Sequence, residues 1–342
     1  MPPGCFGFSK RESKNSNVNK FFSTLVDQEL CRRFSLAEIQ KATNNFDWAL
    51  VGHDAFGEIY RGYIQLDTNT NSATGTKIRV TIKRSSMTSS QGLHEFNNEV
   101  QWSCQLCHPN LVSLLGFCYE ENKNEKILVY EHMSNGSLHE QLIRTRNLEP
   151  LSWKKRLQIC IGAARGLHYL HSGAKYAIIH GDFSRKSILL DETWTPKLTN
   201  FSLSTRGPRS TSKKLIEKVS SRIASTCESI APEYLFEGIL TDKSDVYSFG
   251  LVLMYVITLK LNYYDKDEDS WRYTGNDDEV IDPYIRGKIA PECWKTFLGI
   301  MIRCLLFERS ERPAMGEVEV ELEQALELQE SADAMMQFRF WF

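Results

Sequence analysis

A chain of 342 residues, 42% apolar and 25% charged, holds enough material for one large domain or for two lobes around a cleft. A formal net charge of −2 excludes the bulk polycation that would argue for nucleic acid as a partner. Nine cysteines, with no apolar leader at the start, do not describe a disulfide framework, and a soluble protein of the cell interior is expected.

Residues 1–33 are polar and modestly basic and are expected to form a flexible tail. Cys5, between Gly4 and Phe6, is a plain thiol or an acylation site, and a single acyl chain would anchor only weakly. "FSLAEIQKATNNF" (34–46) predicts a helix beside the main domain. Ser35 and Glu38 make a capping box, and Leu36, Ile39 and Ala42 follow at helical spacing. "EIYRGYI" and "KIRVTIKR" predict strands on either side of a polar loop, Asp67 to Thr76. A helix is predicted around "LHEFNNEVQWSCQL", then strands at "LVSLLGFCYE" and "KILVYEHM". The run Cys104, Cys107, His108 has the spacing of a haem attachment site, but chance spacing at a helix end is the better reading without an export signal.

From Ser137 onward helices dominate. Leu157, Ile161, Ala164 and Leu167 fall on one helical face, and Phe249 to Leu259 is apolar throughout but too short to span a bilayer. The stretch Ser204 to Ser229 is rich in Ser, Thr, Lys and Arg and reads either as a polar loop or as a phosphate acceptor. Asp265 to Glu279 is an acidic, solvated loop. The end, "MMQFRFWF", is apolar for a terminus and by default hangs exposed. A strand-rich first part and a helix-rich second part predict an α+β, two-lobed molecule with a cleft between.

Taken together and in order, "VGHDAFGEIYRG", "VTIKR", "NEV", "LVYEHM", "HGDFSRKSILLD", "KLTNFSLS", "APEYL", "SDVYSFG" and "ERPAM" resemble the protein kinases. "FSLAEIQKATNNF", "KSDVYSFGLVL", "GKIAPECWK" and "ALELQESAD" are similar to the cytoplasmic region of the plant receptor-like kinases of the FERONIA (Catharanthus receptor-like) type. The resemblance implies the bilobal kinase fold, with a β-rich N-lobe and hinge over 47–133, a helical C-lobe over 134–328 and a tail over 329–342. It also implies a stand-alone cytoplasmic relative, with contact at the plasma membrane left open and no integral membrane segment.

The resemblance assigns roles residue by residue. Gly52 and Gly57 belong to the glycine turn whose backbone N–H groups approach phosphates, but Asp54 stands at the middle glycine place, where it would crowd and repel them. Lys83 fits the lysine that holds the phosphates, with Glu99 as its ion-pair partner. Tyr130 would stand at the back of the nucleotide pocket, with Glu131 and Met133 offering backbone groups to an adenine. Asp182 fits the proton acceptor.

Departures cluster in the catalytic loop. Gly181 replaces an arginine, Ser184 a lysine, Ser187 the metal asparagine and Asn200 the metal aspartate. Mg²⁺ prefers charged oxygens, so Ser187 and Asn200 make a degenerate metal site, while ATP binding stays open. Glu233, Asp245 and Arg312 match scaffold positions of the C-lobe. The expectation is a pseudokinase that acts with other receptor-like kinases as scaffold, adaptor or substrate. A weak serine/threonine kinase and an ATP-binding switch without transfer are the alternatives.

Overall fold

The structure is a computed structural model and describes residues 31–47, 50–54, 56–65, 77–85, 90–143, 149–207, 230–259 and 281–339. Cys5, the loop 67–76, the acceptor stretch from 208 to 229, the acidic loop 265–279 and residues 340–342 lie outside them.

Six strands form the N-terminal sheet: β1 (Arg32–Arg33), β2 (Leu50–His53), β3 (Gly57–Gln65), β4 (Lys77–Ser85), β5 (Leu114–Glu120) and β6 (Glu125–Glu131), in the order β1-β5-β6-β4-β3-β2. All pairs are antiparallel except β1 with β5. Alternation decides which side chain goes where. Val80 and Ile82 of β4, with Ile127 and Val129 of β6, pack under helix α1 (Leu36–Thr43) with Phe34 and Ile39. Leu128 and Tyr130 face the opposite side, against Phe96 and Val100 of helix α2 (Ser90–Ser103). Lys83 lies across from Leu128 in the β4–β6 pair, so the same alternation turns it toward α2 and the cleft.

The capping box of α1 forms as the pattern predicts, with the Ser35 N–H donating to Glu38 at 2.8 Å and the Glu38 N–H to the Ser35 hydroxyl at 3.3 Å. Residues 31–33, expected in the tail, belong to the folded part. Arg32 and Arg33 pair with Gly116 and Phe117, and Cys31 is buried. Gly116 permits this, since a Cβ there would stand 2.3 Å from the Arg32 carbonyl.

The C-lobe consists of α3 (Leu138–Ile143), α4 (Trp153–His168), α5 (Pro232–Glu237), α6 (Asp242–Thr258), α7 (Pro291–Cys304) and α8 (Met315–Arg339). Helix α6 is buried from Ser244 to Thr258, which explains its unbroken apolar run. Helix α8 continues past residue 328 because Gln329 is buried and holds the start of α7, accepting from Ala290 N–H and donating to the Lys288 carbonyl. Met335 and Met336, near its end, are exposed. Among the described residues no helix is long and apolar enough to cross a membrane.

Two short antiparallel strand pairs, β7 (Ile178–Ile179) with β10 (Thr205–Arg206) and β8 (Ile188–Leu190) with β9 (Pro196–Leu198), bracket residues 180–187 and 199–204. These two loops meet the N-terminal sheet at the cleft.

Candidate functional site

Lys83 reaches the cleft, but its partner is not the one expected. Its ammonium pairs with Asp54 at 2.8 Å, and among the described ion pairs none joins it to Glu99. The Glu99 carboxylate accepts instead from the Tyr130 hydroxyl at 2.6 Å and from the Ser103 hydroxyl at 3.3 Å. A buried tyrosine hydroxyl needs a partner, and Glu99 is the acceptor beside it. Burial lifts the Glu99 carboxyl above its ordinary range despite Lys83 and the two hydroxyls. Burial also works against the charge of Lys83, yet Asp54, Glu99 and Asp182 together hold the ammonium above its usual range.

Asp54 is fixed from three sides. Its Oδ1 accepts from the N–H groups of Phe56 at 2.9 Å and Gly57 at 3.1 Å, its Oδ2 meets Lys83, and its own N–H donates to the Gly57 carbonyl. Burial pushes the carboxyl up, but Lys83 and the two N–H groups prevail and hold it below the ordinary range. Such a turn, with an acidic side chain accepting two residues on, was legible in "HDAFG". Gly52 lies in β2 with open space around it, and Gly57 begins β3.

At the hinge Tyr130 is buried. The Glu131 N–H donates to the Ser113 carbonyl, and its carboxylate is held by the Ser113 N–H and by Lys197, both at 2.7 Å. Met133 is buried and its carbonyl accepts from Gly136, while among the described hydrogen bonds its N–H has no partner. That N–H is a backbone donor the hinge leaves for a ligand edge.

In the catalytic loop Asp245, from α6, gathers the start of the chain. It accepts from the backbone N–H groups of His180 at 2.8 Å and Gly181 at 3.0 Å, and it meets His171 at 2.8 Å. Gly181 has φ +78°, a conformation that disfavours a side chain, so this backbone suits glycine where an arginine was looked for.

Asp182 faces Asn200, whose amide donates to its Oδ2. Asn200 itself has φ +75°, which asparagine tolerates better than most residues, and its Oδ1 accepts from the Ser202 hydroxyl. Burial, with Glu95 and Glu99 adding to it, pushes the Asp182 carboxyl up to about 6 against Asn200 and Lys186. Ser187 is buried and turned into its own loop, accepting from the Ser184 N–H at 2.9 Å and donating to the Ser184 carbonyl at 2.8 Å. Arg185, one place from the absent lysine, is drawn away. It donates to His139 and lies 4.2 Å over the Tyr255 ring.

These residues do not fit Mg²⁺. Two neutral oxygens already bonded within the chain stand where charged ligands are wanted, and no group of three or more His, Cys, Asp or Glu among the described residues could hold a metal. The haem-like spacing is also spoken for, with His108 stacked on Tyr169 and accepting from the Asn110 N–H. Deeper in the C-lobe, Glu233 and Arg312 form a buried bidentate pair, 2.8 Å on each side, that Ser244 completes. Another buried ion pair among the described residues, Arg156 with Asp282, had no signature in the sequence.

A sequence profile of the protein tyrosine and serine/threonine kinases matches residues 48–322. The chain belongs to the protein kinase family. It is 44% identical over 97% of its length to the receptor-like protein kinase FERONIA of Arabidopsis thaliana, 43% identical over 94% to ANXUR2 and 39% identical over 98% to THESEUS 1 of the same plant. The chain covers 37%, 37% and 39% of those proteins, a little over a third of each. The bilobal α+β fold is that of the family, and the departures at 54, 181, 184, 187 and 200 fall inside the matched segment.

Proposed function

We propose that this chain is a pseudokinase of the plant receptor-like type, a signalling protein that binds active receptor-like kinases as scaffold, adaptor or substrate. One observation carries the reading. The two positions that should hold metal are turned inward, Asn200 onto Asp182 and Ser187 onto Ser184. Phosphoryl transfer depends on the metal bridge and on preorganised charge, and removal of a single such donor costs about 3–4 kcal/mol in the transition state. Loss of two metal ligands and the loop lysine together leaves little turnover. The scaffold pairs Glu233–Arg312 and His180–Asp245 are meanwhile complete, as an interaction protein requires. Cytoplasmic location, with peripheral contact at the plasma membrane, belongs to the same reading.

The second reading, a weak serine/threonine kinase, draws on Asp182, whose carboxyl at about 6 stands nearer the operating pH of a general base than an ordinary aspartate does. Radiolabelled autophosphorylation and transfer to a generic substrate separate the two. The expected result is no incorporation by the wild type and measurable incorporation after Asn200→Asp, Ser187→Asn and Ser184→Lys are combined. Wild-type incorporation abolished by Asp182→Ala would sink the pseudokinase reading. Phosphorylation of the chain by a purified active receptor-like kinase tests the substrate role.

A further inference from the structure

We infer that Asp54 is an internal surrogate for a nucleotide phosphate, and that its carboxylate excludes nucleoside di- and triphosphates from this cleft. Two kinds of group receive phosphate in such a site: turn N–H groups and a lysine ammonium. Asp54 takes both. One oxygen sits on the N–H groups of Phe56 and Gly57, and the other sits on Lys83. The side chain thus does more than crowd the turn; it occupies two turn N–H groups and the ammonium that a β- or γ-phosphate would seek there.

Charge strengthens the exclusion. Lys83 is paired with Asp54, and the Glu99 and Asp182 carboxylates act on its charge from farther off, so an arriving polyphosphate meets an ammonium already balanced by acidic groups. The purine end is different. Among the described hydrogen bonds the Met133 N–H has no partner, which leaves it for an uncharged ligand edge beside the hinge. The cleft therefore discriminates against the phosphates and not against the base. The inference rests on the reading of the cleft as one that performs no transfer, but it concerns binding alone.

The test compares the affinities of ATP and adenosine by calorimetry for the wild type and Asp54→Asn, with EDTA and again with Mg²⁺. The asparagine keeps an oxygen for the Phe56 and Gly57 N–H groups, so the turn survives while the charge on Lys83 is released. A melting curve without ligand checks the fold. The expected result is a gain of at least tenfold in ATP affinity for Asp54→Asn, little change for adenosine, and loss of the gain when Lys83→Met is added. A ratio near one for ATP between the two proteins, including no detectable binding by either, overturns the inference. So does an equal gain for adenosine, which would locate the effect in the turn rather than in the charge. An Asp54→Asn protein that binds ATP without transferring phosphate leaves the proposed function standing, whereas wild-type incorporation fails that proposal whatever the binding shows.

Discussion

Asp182 shows how much burial can change a side chain whose identity is kept. In a working phosphoryl-transfer site a carboxylate here accepts a proton while a metal lies close by. Here its immediate partner is an amide, and burial raises its carboxyl to about 6 from an unfolded value near 3.9. The sign of the linkage follows. Between about pH 4 and pH 6 the folded chain holds a proton that the unfolded chain has released, so stability from this group falls as pH rises through that window and is level above it. Asp182→Asn keeps an acceptor for Asn200 and removes the titration. The wild type should lose stability relative to the variant from about pH 4 to about pH 6, with a constant difference from pH 7 to 8. Urea unfolding at a series of pH values measures it, and a constant offset over the whole range would contradict the assignment.

Helix α2 is where residue-level substitutions become a matter of positioning. An ion pair between Lys83 and Glu99 would tie this helix to the sheet, but Lys83 is engaged elsewhere. Three other bonds do the tying. Asn98 donates to the carbonyls of Ser202 at 2.8 Å and Ser204 at 2.7 Å, and the Trp102 indole donates to Ser204 at 3.0 Å. On the other side Tyr130 holds Glu99. The helix is therefore docked to the segment after Asn200 by bonds within the chain. Asn98→Ala takes the side-chain donor from the Ser202 carbonyl and leaves the Ser204 carbonyl with Trp102, and should cost about 1–3 kcal/mol. Amide hydrogen exchange should rise around residues 200–206 and in α2, and not in the buried α6. Uniform loss of protection would mean the bonds serve global stability instead of local docking.

At the scale of the whole molecule, two buried arginine–carboxylate pairs among the described residues join parts of the chain that are far apart in sequence. Arg312 reaches Glu233 and also donates to the carbonyls of Leu306, Lys243 and Phe307. Arg156 reaches Asp282 and the carbonyls of Leu151 and Val256. Breaking such a pair strands a charge in the core. Arg312→Met should cost about 3–5 kcal/mol, and Arg312→Met combined with Glu233→Leu should cost less than the single change, because no uncompensated charge remains. Denaturant midpoints decide it, and a double variant worse than the single one would show that the backbone bonds of Arg312, not its charge, carry the effect.

Much of this was readable beforehand. The alternation Val80-Thr81-Ile82-Lys83 placed two side chains under α1 and the lysine in the cleft, and Ser35 with Glu38 marked the start of α1. The types of residue at 54, 181, 184, 187 and 200 were plain in the sequence, and with them the poverty of the metal site. What no local pattern encoded was the choice among partners. Whether Lys83 takes Asp54 or Glu99 depends on separations of a few ångströms between a turn, a strand and a helix, and on the Tyr130 hydroxyl that competes for Glu99. Likewise, only the folded chain brings Tyr255 and His139 together to draw Arg185 off the phosphate side, and turns Ser187 onto Ser184. Residue identity is a one-dimensional fact. Ion-pair and hydrogen-bond energies depend steeply on distance and burial, and those are settled only when the lobes and loops have packed.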